Sequence, residues 1–157
     1  MIVLDTNVIS ELFRRQPEAR VVARLESLEV EVAITAITLA ELFAGVRRLP
    51  DGRRKEELGK ALSTTVEPYR GGHAVLPFDE SCADAYAEIL CERERVGLPI
   101  MTADAQIAAI CRTHEAVCAT RDTKAFAYTG IVLVDPWVAP RTGLSTRPFS
   151  KQAPASR

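Results

Sequence analysis

The stretch Met1-Ile2-Val3-Leu4-Asp5-Thr6-Asn7-Val8-Ile9-Ser10-Glu11-Leu12-Phe13 runs from four apolar residues through one carboxylate into a helical pattern. An apolar run this short reads as a strand, and the spacing that follows it reads as one face of a helix. Asp5 sits at the junction. The same junction recurs three times further along the chain. Glu41 falls in the first turn of a helix after Val32-Ala33-Ile34-Thr35. Asp104 opens the helical pattern Ala105-Gln106-Ile107-Ala108-Ala109-Ile110-Cys111, and Asp122 follows Ala116-Val117-Cys118-Ala119-Thr120.

Outward from these junctions, short apolar runs alternate with helical patterns. Strands are expected at Ile2–Leu4, Val32–Thr35, Ala74–Phe78, Val117–Ala119 and Ile131–Val134, with a short apolar step at Ile100-Met101. Helices are expected over Asn7–Arg14, Pro17–Leu28, Leu39–Leu49, Arg53–Thr65 and Glu80–Val96, and from about Asp104 onward. Pro17 suits a first helical turn, and Gly97 with Pro99 ends the long helix. This succession predicts an α/β fold: a single domain with a mostly parallel central sheet flanked by helices. In such a sheet the strand ends that lead into helices share one edge, and open α/β sheets bind ligands at that edge.

The totals narrow the function classes. A chain of 157 residues with 47% hydrophobic and 26% charged residues is an ordinary globular domain. Residues 1–140 hold 16 basic and 21 acidic side chains, a balance of −5, while Arg141, Arg147, Lys151 and Arg157 stand without an acid beyond them. Bulk charge therefore gives no case for nucleic-acid binding, which must rest on local patches. Cys82, Cys91, Cys111 and Cys118 form no C-x-x-C pair, and His73 and His114 lack ligand-like spacing to them. The cysteines are expected as free core residues rather than as a zinc site. No apolar run reaches the roughly 18 residues of a membrane span, and no leader pattern is visible. The expectation is a cytoplasmic protein with no membrane contact.

Each acid taken singly fits a structural role. Asp5, Asn7, Asp104 and Asp122 could cap helices, and Thr38-Leu39-Ala40-Glu41 fits the capping box. Caps, however, occur at either edge of a fold and need not follow strands. Four carboxylates gathered at one sheet edge repel one another unless a cation lies between them. Hard oxygen donors without a Cys–His set point to Mg²⁺, with Mn²⁺ as the alternative. The joint reading makes Asp5, Glu41, Asp104 and Asp122 the metal-ligating and catalytic set.

Val3-Leu4-Asp5-Thr6-Asn7-Val8-Ile9 and Thr38-Leu39-Ala40-Glu41-Leu42 stand in a series with Thr102-Ala103-Asp104-Ala105-Gln106-Ile107-Ala108-Ala109-Ile110. Thr120-Arg121-Asp122-Thr123-Lys124-Ala125-Phe126 and Ile131-Val132-Leu133-Val134-Asp135-Pro136-Trp137 complete it. In order and spacing the series resembles the PIN-domain ribonucleases of the VapC and FitB-like toxin family. The resemblance covers residues 1–138 as one PIN-like nuclease domain and leaves 139–157 as a flexible basic tail. It implies that residues 120–126 form the last helix. Two positions depart from the common pattern: many relatives carry Asn at the place of Asp122 and an acid at the place of Ala125.

The resemblance implies a Mg²⁺-dependent endoribonuclease, the toxin of a type II toxin–antitoxin pair, that hydrolyses RNA phosphodiester bonds with metal-activated water. Asn7 and Thr120 are then donors that orient Asp5, and Arg121 and Lys124 meet the RNA phosphates. A cognate antitoxin, a homodimer, and operator DNA reached only through the antitoxin complete the implied assembly. The apolar surplus Leu12, Phe13, Val21, Val22, Leu25 and Leu28 offers a surface for a partner, with core packing as the default. Arg47, Arg48, Arg53, Arg54 and Lys55 form a basic run that reads first as a solvated helix face. Two rivals stand beside this reading. Asp5-Thr6-Asn7-Val8 approaches the D-x-D motif of haloacid dehalogenase phosphatases, but Asn7 replaces the second Asp and no later Lys is well placed. A catalytically silent PIN fold, acting as a partner-binding module in a DNA-bound toxin–antitoxin complex, is the other.

Overall fold

The computed structural model describes residues 1–71 and 74–138, so the expected tail over 139–157 lies outside the described residues. Strand β1 (Ile2–Leu4) is followed by helices α1 (Thr6–Leu12) and α2 (Ala19–Glu26). Then come β2 (Val32–Thr35), α3 (Ala36–Arg47), α4 (Arg53–Val66) and the two-residue strand β3 (Val75–Leu76). Helices α5 (Ala83–Arg95) and α6 (Thr102–Thr113) precede β4 (Val117–Ala119) and β5 (Leu133–Val134). The five strands form one sheet in the order β3-β2-β1-β4-β5, and every neighbouring pair is parallel. The α/β expectation and the parallel sheet are both observed.

Strand β1 occupies the centre because its three residues are buried on both faces. Alternation along the strand divides the core in two. Val3 points into a layer built mainly from α5 and α6, with Ile89, Ile107, Ile110 and Phe126. Ile2 and Leu4 point the other way, onto Val8, Ile9, Leu42, Leu62 and Val66. Most of the apolar surplus of the early helices is absorbed here. Val21 is fully buried, and Leu12, Phe13, Leu25 and Leu28 pack against the second layer. Core packing accounts for these residues.

The chain runs from β1 towards β2 and β3 on one side, then returns to place β4 and β5 on the other. The strand order therefore reverses between β1 and β4, and the carboxyl ends of these strands flank a switch point of the kind that binds ligands in open sheets. The amide of Asp5 donates to the Ala119 carbonyl at 3.0 Å, which ties the two strand ends together.

Several boundaries differ from the sequence expectation. Helix α3 starts at Ala36, not Leu39, because the Thr35 hydroxyl accepts the Thr38 amide at 2.9 Å and serves as its N-cap. Thr38 is thus inside the helix, and the capping box built on Thr38 and Glu41 does not exist. The long helix expected over Glu80–Val96 divides into a 3-10 turn at Glu80–Cys82 and α5. Residues 120–126 form turns rather than a last helix. Tyr128 at φ 61° and Gly130 at φ 74° leave the right-handed helical region, so the segment turns back towards β5. Cys82, Cys111 and Cys118 are free and buried as expected, whereas Cys91 is exposed. Among the described residues, no helix is long and apolar enough to cross a membrane.

This packing sets a stability test. Ile89 is fully buried between α5 and the sheet-facing core, so Ile89→Ala should destabilise the protein by about 2–5 kcal/mol. Met101, 74% exposed, should change stability by less than about 0.5 kcal/mol on truncation to Ala. Urea unfolding of the two variants measures the contrast, and equal losses would contradict the core assignment.

Candidate functional site

Asp5 is placed by the end of β1 and held by three donors. Its Oδ1 accepts the Thr6 amide at 2.7 Å as the N-cap of α1. Its Oδ2 accepts Asn7 Nδ2 at 2.7 Å and the Thr120 hydroxyl at 2.8 Å. Asn7 and Thr120 therefore orient Asp5, in the arrangement read from the sequence, although they come from opposite sides of the switch point. Asn7 also accepts the Arg121 amide at 3.1 Å, and Thr120 Oγ1 accepts the Asp122 amide at 3.0 Å. One hydrogen-bonded network thus joins the ends of β1 and β4.

The other carboxylates stand around this one. Glu41 is the sixth residue of α3, one turn deeper than expected, and its Oε2 accepts the Thr6 hydroxyl at 2.5 Å. Sequence reasoning missed Thr6 as an orienting residue; its place between Asp5 and Asn7 was the available signal. Asp104 lies in the first turn of α6, whose N-cap is Met101. Asp122 Oδ1 accepts the Ala125 amide at 3.1 Å and organises the turn after β4. A backbone amide does this work, so the turn needs no acid at position 125. The capping reading holds for Asp5, and in part for Asp122, and fails for Asp104 and Glu41.

The four acids lie within Coulombic reach of one another. Burial is the main reason that the Asp5 carboxyl is pushed above its ordinary range; hydrogen bonds from Thr120 and Thr6 oppose this, and the charges of Glu41 and Asp122 add to it. Burial, followed by the charges of Asp5, Glu41 and Asp122, pushes Asp104 up to about 6, with Arg93 acting in the opposite sense. Among the described residues no hydrogen-bond donor reaches the Asp104 carboxylate, although half of it is buried. Among those residues, too, no three acidic, His or Cys side chains close around one point as a preassembled cage. Like charges within Coulombic reach are expected to hold apart when no cation lies between them.

The basic residues divide by what they touch. The Arg121 guanidinium stacks over Trp137, 5.2 Å from the ring centroid, an anchor the sequence did not reveal. It also lies within reach of Glu11, a buried acid of α1. Burial opposes ionisation of Glu11, but the Glu18 amide and Arg14 outweigh it and hold its pKa below the usual value. Lys124 is exposed beside Asp122. Arg47 lies over Phe43, while Arg53 and Lys55 pair with Glu57 and Asp51. Arg54 lines a groove of about 590 Å³ with Phe13, Arg14, Arg15, Glu57 and Leu58, which includes none of the four site acids. Arg47, Arg48, Arg53 and Arg54 are exposed, as the solvated-face reading expects, while Lys55 is half-buried.

The raised Asp104 pKa has a defined sign. The folded protein binds this proton more tightly than the unfolded chain, so stability falls as pH rises from about 4 to about 6. Above that window both states are ionised and the full penalty remains. In chelating buffer, Asp104→Asn should therefore melt higher than the unsubstituted protein at pH 7, and the gain should vanish near pH 4. An Asp104→Asn melting curve that never exceeds the unsubstituted one would remove the charge crowding from this account.

Comparison with known proteins fits this geometry. Residues 2–131 match the family model of the PIN domain. The chain is 45% identical to toxin FitB of Neisseria gonorrhoeae over 138 residues, 87% of this chain and 99% of that protein. It is 39% identical to VapC ribonuclease Y4jK of Sinorhizobium fredii over 138 residues, 87% of this chain and 98% of the relative. Its fold superposes on a solved structure of FitAB bound to an IR36 DNA fragment with a TM-score of 0.82. There the identity is 41%, over 90% of this chain and 99% of the other. With the edge carboxylates, the parallel sheet and these likenesses together, the chain belongs to the PIN-domain family, in the group that holds the FitB and VapC toxins.

Proposed function

We propose that this protein is a divalent-cation-dependent endoribonuclease and the toxin partner of a toxin–antitoxin pair. One observation carries the reading: Asp104 is half-buried, has no hydrogen-bond donor among the described residues, and lies within Coulombic reach of three further carboxylates. A structural acid is hydrogen-bonded or paired. A site made only of carboxylate oxygens, with no Cys or His, suits a hard cation such as Mg²⁺ or Mn²⁺. Such an ion, when bound, supplies a water made acidic enough to attack and offsets negative charge on the phosphoryl group.

The chain's own residues do the rest. Asp5, Glu41, Asp104 and Asp122 would hold the ion, directly or through water. Thr6, Asn7 and Thr120 fix both oxygens of Asp5, so that carboxylate cannot rotate away when substrate enters. Lys124 is free to meet a phosphate, and Arg121 presents its charge at the same edge from its seat on Trp137. RNA as substrate is supported by the ribonuclease name of the Sinorhizobium relative, and an antitoxin partner by the FitAB structure. The balance of −5 over residues 1–140 makes this chain a poor DNA ligand by itself, which supports operator DNA being reached through the antitoxin; a homodimer is part of the same proposal. An RNA substrate places the activity in the cytoplasm.

Two measurements test the proposal. Millimolar Mg²⁺ or Mn²⁺ should raise the melting temperature, because binding confined to the folded state stabilises it, and Asp5→Asn should weaken that gain. A melting curve indifferent to metal would count heavily against the site.

Cleavage of single-stranded RNA should leave 5′-phosphate and 3′-hydroxyl ends and stop with chelator. Asp5→Ala, Glu41→Ala and Asp104→Ala should each lower kcat by at least about 100-fold, several kcal/mol of transition-state stabilisation, while the fold persists. Asp122→Asn should be milder. Unaltered turnover in Glu41→Ala would withdraw Glu41 from the ligand set.

A further inference from the structure

Arg93 is the sole buried base among the described residues, at 5% exposure. It takes part in none of the salt bridges found there. Burying a guanidinium without a carboxylate partner is costly, so its hydrogen bonds need an account. Nη1 donates to the Ala127 carbonyl at 2.5 Å and Nη2 donates to the Pro99 carbonyl at 3.3 Å, while Nε is buried without a partner. The two acceptors lie on different segments. Pro99 belongs to the connection between α5 and α6 that delivers Asp104, and Ala127 belongs to the turn after β4 that carries Asp122.

Neither segment has regular structure to hold it. The connection exposes Val96, Leu98 and Met101, the turn exposes Tyr128, and Gly97 and Tyr128 both sit at positive φ. The Leu98 amide donates back to the Arg93 carbonyl at 2.9 Å, so main chain and side chain of one residue secure the connection. At the other end, Asp122 holds the turn through Ala125. A planar fork with two donating ends can bridge two carbonyls at a set spacing; a lysine ammonium cannot reproduce that geometry. The Arg93 charge also lies within Coulombic reach of Asp104.

We propose that Arg93 is a positioning residue for the acidic site: its buried guanidinium bridges the segments that carry Asp104 and Asp122 and fixes the spacing of those two carboxylates. The inference rests on the metal-dependent reading of the site given above. A purely electrostatic role makes the opposite forecast, since removing a cation near a cation site should tighten metal binding.

The test compares R93K, which keeps the charge and most of the volume, with R93M, which keeps only the volume. Hydrogen exchange in chelating buffer reads the bridge itself. In R93K, amides within 97–105 and 122–129 should exchange roughly tenfold faster, with α4 unchanged. A Mg²⁺ titration of the melting temperature should show the midpoint raised about tenfold in both variants, and RNA cleavage should show kcat lowered about 10–100-fold with KM nearly constant. If R93M does not fold, R93K carries the test. Exchange unchanged in either segment overturns the proposal. So does faster exchange with an unaltered Mg²⁺ midpoint and kcat, which would leave Arg93 a structural residue only, and so does tighter Mg²⁺ binding in R93M. A wild-type protein indifferent to Mg²⁺ would instead remove the metal-dependent reading, and the exchange pattern alone would then decide the bridge.

Discussion

Crowding of negative charge at the carboxyl edge of the sheet governs the rest of this molecule. Asp5 follows the central strand, Asp122 follows its neighbour β4, and α3 and α6 bring Glu41 and Asp104 alongside. The neighbouring charges raise the cost of ionising Asp5 and Asp104, and burial raises it further. A fold that only needed caps would leave these acids apart. Here their mutual repulsion is offset unevenly: Asp5 by three donors, Glu41 by the Thr6 hydroxyl, Asp122 by the Ala125 amide, and Asp104 by the charge of Arg93. The uneven offsetting leaves Asp104 as the group with most to gain from a cation.

The supporting structure follows the same division of labour. The β1 and β4 ends are tied by the Asp5 amide, by Asn7 and by Thr120, so one flank of the site is built on the most buried part of the sheet. The other flank rests on an irregular connection and a turn, and it is there that a buried guanidinium reaches both. Rigid elements position groups better than loops do, and loops that carry functional groups need outside support.

Much of this was legible in the sequence because it is local. Four apolar residues ahead of Asp5 fix it at a strand end, and period-2 and helical patterns identify the α/β class without reference to any partner. Asn7 and Thr120 were readable as orienting donors through the family resemblance. Where local reading failed, tertiary competition decided. Thr35 took the cap of α3 from Thr38 because the buried end of β2 places its hydroxyl over the first turn. The segment after Asp122 gave up its helix because the chain must turn back within a few residues to add β5 to the sheet. Arg121, read as a phosphate contact, is held by Trp137, a residue it approaches only after the chain has crossed to β5.

By itself, then, the sequence determined most of the element types, the mostly parallel class of the sheet and the placing of acids at strand-to-helix junctions, since each depends on periodicity or on immediate neighbours. Only the tertiary structure decided that the strand order reverses between β1 and β4. It also decided that Thr6 serves Glu41, and that Arg93 spans the connection before α6 and the turn after β4. Apart from the Arg93–Pro99 bond, such relations join residues from 34 to 115 positions apart in the chain. No local pattern encodes such pairings; they exist because burying two apolar layers against one sheet leaves the polar edge residues a single arrangement in which most of their hydrogen bonds are met.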